Sequence, residues 1–96
     1  MAKPDLVSIA ALVGEHTLAE YELEAVADYY EGQFEWHLGV EKWQWLGERH
    51  AQLHVVPIPL ERRPSEVPGL WHYRLHISLM CDRGVGVLFW LKFGKD

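Results

Sequence analysis

The segment "YRLHISLMC" (Tyr73 to Cys81) constrains the fold more than any other part of the chain. Tyr73, Leu75, Ile77 and Leu79 alternate with Arg74, His76 and Ser78. A helix would scatter these apolar residues around its circumference, whereas a strand collects them on one face. A strand with one apolar side needs neighbouring strands and a layer to cover that side. The chain must therefore form a sheet that is packed on one face.

The residues that follow suggest how this strand is paired. In "CDRGVGVLFWLKF" a three-residue Asp-Arg-Gly loop would place Gly84 at the left-handed position of a hairpin. That register opposes Leu79 to Val87, Ile77 to Phe89, Leu75 to Leu91 and Tyr73 to Phe93, all apolar pairs. A two-residue loop would oppose Ser78 to Phe89 and mix the two faces, which a half-buried sheet resists. The expected outer face pairs His76 with Trp90, Arg74 with Lys92 and Ser78 with Leu88.

The segment "TLAEYELEAVADYYEG" has the marks of a helix. Thr17 and Glu20 stand in a capping-box relation, and Gly32 follows as a stop. Ala19, Leu23, Val26 and Tyr30 form one stripe; Glu20, Glu24, Asp28 and Glu31 form another at the same spacing. Upstream, "LVSIAALVG" reads as a short apolar helix ended by Gly14. After Gly32 the period shortens to two. Phe34, Trp36 and Leu38 alternate in one segment, Trp43 and Trp45 in the next. A helix through Val40, Trp43, Leu46 and His50 competes with the second of these strands. In "HAQLHVVPIPL", Pro57 and Pro59 remove two donors from one side, which marks a sheet edge. "ERRPSEVPG" is a surface loop.

These readings combine into an α+β domain over residues 1–96. Two N-terminal helices, about 5–13 and 18–31, pack on one face of an antiparallel meander of four to five strands, giving two layers. The strands fall at about 33–38, 42–46, 50–58, 71–81 and 85–93. The sheet side of the core is Phe34, Trp36, Leu38, Leu53, Val55, Tyr73, Leu75, Ile77, Leu79, Val87, Phe89 and Leu91, covered by Leu23, Val26 and Tyr30.

Metal ligation and catalysis are tempting because His72 and His76, and His50 and His54, are four apart. On a strand such pairs lie about 13 Å apart, too far to share one metal ion. A site across strands, such as His54 beside His72 or His76, has no thiolate to complete it. Cys81 lies near Arg83, but no base and orienting group accompany it in its own strand. "RGVG" lacks the Gly-Lys-Ser/Thr and following helix of a phosphate loop. No cofactor, metal or catalytic activity is expected.

Charge narrows the class of partner. The 96 residues carry a net charge of −5, with ten acids against two bases in the first half and four against seven in the second. That balance disfavours direct binding to nucleic acid, which relies on a basic footprint. A stacking platform for single strands would need more exposed rings than Trp90 alone supplies. No apolar run approaches the roughly 18 residues of a membrane helix. The start resembles a poor secretory signal, with Asp5 against it, so a cytoplasmic protein is expected. The single cysteine fits a reducing compartment.

The expected function is a non-enzymatic protein-interaction module. Its most concrete form is a small acidic inhibitor or adaptor, such as phages and other mobile elements use as antagonists, binding a larger basic protein assembly, nucleic-acid-binding assemblies being one case. Glu20, Glu24, Asp28 and Glu31 would lure the basic surface. Arg74, His76 and Trp90 would contribute from the open sheet face, through which the chain could also form a homodimer. The alternative is a small-ligand or metal-binding module using the same His- and Trp-bearing face.

Overall fold

The computed structural model describes residues 5–94. Strand β1 (Leu6–Leu18) is followed by a single 3-10 turn (Glu20–Glu22), then by helices α1 (Leu23–Leu38) and α2 (Val40–Glu48). Strands β2 (His54–Pro64) and β3 (Trp71–Asp82) form a hairpin, and helix α3 (Arg83–Phe93) follows directly. The sheet has three antiparallel strands in the order β1-β3-β2. The α+β class is as expected, but the four- to five-stranded meander under two N-terminal helices is not what forms.

β3 is the strand that its alternation requires, and it takes the centre. Tyr73, Leu75, Ile77, Leu79 and Cys81 are buried, and opposite them on β1 stand His16, Gly14, Leu12, Ala10 and Val7. Because β1 and β2 occupy both sides of β3, no edge remains there for residues 85–93. They form α3 instead, and the expected hairpin with its Leu79–Val87 and His76–Trp90 pairs does not exist. Asp82 caps the helix, its carboxylate accepting from the Val85 N–H at 3.1 Å. α3 packs chiefly on β1. Gly86 makes that approach possible, since a Cβ there would lie 2.3 Å from a Val7 methyl.

Residues 6–18, expected to begin as a helix, are the 13-residue strand β1. Val7, Ile9, Val13 and Thr17 are β-branched and suit a strand. The register shifts between Ser8 and Ala10. This bulge interrupts the two-residue period, so Val7 and Ala10 both face the helices and the alternation is hidden. Gly14 meets α1 at close range: a Cβ there would come 2.2 Å from the Tyr30 hydroxyl.

Residues 33–38 and 42–46, expected as strands, are helical. α1 runs through Gly32 and ends at Gly39, whose φ of 87° suits glycine and whose N–H bonds the Glu35 carbonyl. α2 follows at once and is the helix that competes in the sequence over residues 40–50. Trp45 and Leu46 are its buried residues, while Val40 is exposed. Trp36, Val87 and Leu91, expected in the core, lie at the surface.

Two clusters of buried side chains fill the space between sheet and helices. The larger joins Val26 and Phe34 of α1 to Leu18, Tyr73, Leu75, Ile77 and Leu79. The smaller joins Trp45 and Leu46 of α2 to Phe89 of α3, with Trp45 set edge-on to Phe89 and Phe93 at 5.8 and 5.7 Å between ring centres. Ile9, Leu38 and Leu53 touch both. Among the described residues the helices pack on the core face alone, although Ser78 on the other sheet face is also buried, and the molecule measures 46 × 34 × 20 Å. Its radius of gyration of 15.1 Å exceeds the roughly 12–13 Å of a compact chain this long.

Candidate protein-interaction surface

The residues expected to bind a partner are distributed over three places. Glu24, Asp28 and Glu31 lie on α1, all exposed, and Glu35 extends their row at the same helical spacing. Glu20 lies outside this helix in the 3-10 turn, where it faces Arg62 at 3.6 Å. Arg74 and His76 belong to the sheet face away from the helices. Arg74 stands between Glu15 of β1 and Glu61 of β2, and His76 between Val13 and Ile58. Trp90 sits on α3 beside the Trp45–Phe89 cluster. It borders a cleft of about 480 Å³ shared with His37 and Lys42. Arg74 and His76 are thus neighbours, but Trp90 does not join them.

α1 has three faces. Leu23, Val26, Tyr30 and Phe34 turn inward, and the four acids form a second face. The third carries Ala25, Tyr29, Gly32 and Trp36 at i, i+4, i+7 and i+11. Tyr29 is 62% exposed and Trp36 is 84% exposed. Such rings on a helix lying beside a row of carboxylates form a composite surface, apolar on one flank and anionic on the other. Among the described residues the ion pairs are Arg49–Glu48, Arg62–Glu20 and Arg83–Asp5, so none neutralises Glu24, Asp28, Glu31 or Glu35.

Reading Gly32 as a helix stop hides this third face. With the stop removed, Tyr29 and Trp36 lie seven residues apart on one stripe, and Glu35 moves from the sheet to the acidic row. The signal was available in the spacing.

Two of the histidines are engaged, each with a different partner. His16 Nε2 lies 3.1 Å from the Tyr30 hydroxyl, and His72 Nδ1 is hydrogen-bonded to the Thr17 hydroxyl. Among the described residues no group of three or more His, Cys, Asp or Glu side chains is placed to hold a metal ion. Burial, with a smaller contribution from Tyr29, raises the pKa of Tyr30. Cys81 is fully buried, and desolvation followed by the charge of Asp82 pushes its thiol up to about 11. It stays a thiol at neutral pH, the less nucleophilic form.

No helix of the described chain is long and apolar enough to cross a membrane. Comparison with known protein families, with curated proteins and with solved structures finds no match.

Proposed function

We propose that this chain is a non-enzymatic interaction module, an acidic inhibitor or adaptor that occupies the basic surface of a larger protein through α1. The observation that carries this reading is the exposed pair Tyr29 and Trp36 alongside the unneutralised row Glu24, Asp28, Glu31 and Glu35. A solvated helix has use for carboxylates but none for two exposed rings on one stripe. Together they suit arginine: the guanidinium stacks on an aromatic face while its N–H groups pair with a carboxylate. Long-range attraction from the four acids would speed encounter, and the rings would supply the desolvated anchor.

The test is a pull-down from native cells with three baits: wild type, E24Q/D28N/E31Q/E35Q, and Trp36→Ala. One basic protein should be recovered with the wild type and lost with both variants, each variant remaining folded by circular dichroism. With the recovered protein purified, its affinity for the wild type should fall about tenfold or more as salt is raised through the physiological range, because the acidic row is screened. Equal recovery by the charge-neutral bait would show that the acidic row is not part of the contact, and equal recovery by both variants would show that α1 is not the contacting element.

A further inference from the structure

We infer that the outer edge of β1 is a self-association site, where a second copy of this chain pairs antiparallel to form one continuous six-stranded sheet. The argument begins with the prolines of the opposite edge. In an antiparallel ladder, opposed residues either exchange both N–H···O=C bonds or point these groups away from each other, and the two kinds of pair alternate. Pro57 and Pro59 have no N–H and stand opposite Ile77 and Leu75. Proline is tolerated where its nitrogen faces away from the ladder, so Ile77 and Leu75 turn their backbone groups toward β1 and bond Leu12 and Gly14. The alternate residues Ala11, Val13, Glu15 and Thr17 therefore aim their N–H and C=O groups outward. Outside the strand ladders, no hydrogen bond among the described residues uses those four N–H groups.

An unprotected edge of this length is a template for another strand. Three features select a second copy as the occupant. First, β2 cannot receive β1 head-to-tail, because its outer edge lacks donors at Pro57 and Pro59 and is distorted by the register shift between Pro59 and Glu61. Only β1 against β1 remains, a two-fold contact that closes after two chains. Second, β1 carries one charged residue, Glu15, in a chain of net charge −5, so two acidic copies can meet there with little repulsion. A two-fold axis at Gly14 would set Val13 opposite Glu15 of the partner subunit and Ala11 opposite Thr17 of the partner subunit, keeping the two Glu15 side chains off one another. Third, the chain exposes 6824 Å², whereas a compact monomer of 11.2 kDa exposes about 5,700 Å². The excess is of the order of the ~800 Å² that one partner contributes to a standard interface.

This inference does not rest on the role of α1, and its test leaves that helix intact. Val13 is 59% exposed and its N–H points outward, so Val13→Pro should preserve the monomer's own hydrogen bonds. Sedimentation and light scattering should give the mass of two chains for the wild type and of one chain for Val13→Pro, with matching circular dichroism. Leu12→Pro, which removes a bond to Ile77, should instead unfold the chain. In the wild type, amide exchange at Glu15 and Thr17 should slow about tenfold or more as concentration rises, while in Val13→Pro it stays fast. A wild type that sediments as one chain at every concentration, or a Val13→Pro variant that remains a dimer, overturns the inference. So does an edge that pairs only with an added foreign strand.

Discussion

Cys81 shows how burial alone sets the chemistry of a side chain. It lies on the core face of β3 beneath α3, 3.4 Å from where a Cβ on Gly86 would be. Its folded-state pKa is raised from the usual 9.0 to about 11. The unfolded chain therefore loses its thiol proton first as pH rises. The thiol's contribution to stability is intact below pH 9.0 and is lost as pH climbs toward 11, at a cost of up to about 2–3 kcal/mol. Urea midpoints measured across that window should fall more steeply for the wild type than for Cys81→Ala. Parallel curves for the two proteins would show that the thiol is not desolvated as described.

At the scale of elements, α3 is the least self-sufficient. Gly84, Val85, Gly86 and Val87 are poor helix formers, and the first turn depends on its cap. Asp82→Ala removes the acceptor for the Val85 N–H and should cost about 1 kcal/mol, with the loss reduced in Asp82→Asn. Thermal melts of the two variants check this. The same element shows where sequence reasoning reaches its limit. The alternation of β3, the edge position implied by Pro57 and Pro59, and the N-terminal half of α1 are legible because each follows from local chemistry. α3 is not, because Asp-Arg-Gly serves equally as a hairpin loop and as a helix start. What decides is the occupation of both sides of β3, a fact about distant segments. β1 was obscured by its bulge at Ile9, and the aromatic face of α1 by a glycine the helix tolerates without turning. Of the expected site, the three acids of α1 and the pair Arg74–His76 could be placed from spacing. Trp90 could not, since its place depended on the hairpin.

For the molecule as a whole, one covered sheet face must hold three strands and three helices together. The two buried clusters share Ile9, Leu38 and Leu53, so neither can loosen without the other. Phe89 is buried at the centre of the smaller one and packs on Trp45 and Phe93. Phe89→Ala should cost about 3–5 kcal/mol. Its unfolding followed by far-ultraviolet dichroism and by tryptophan fluorescence should coincide, as cooperative unfolding requires. Separate transitions would mean that α2 and α3 come away from the sheet as a unit of their own.

The placement of the tryptophans gives the chain a built-in optical contrast. Trp45 is enclosed, with the Arg49 guanidinium 3.8 Å above its ring, and Trp71 lies 4.3 Å beneath that of Arg62. Trp36 stands in water on the helix surface, open to collisional quenchers that barely reach Trp45. Whatever molecule settles on α1 will dim or shield that one lamp, and the protein can announce its occupant without a label.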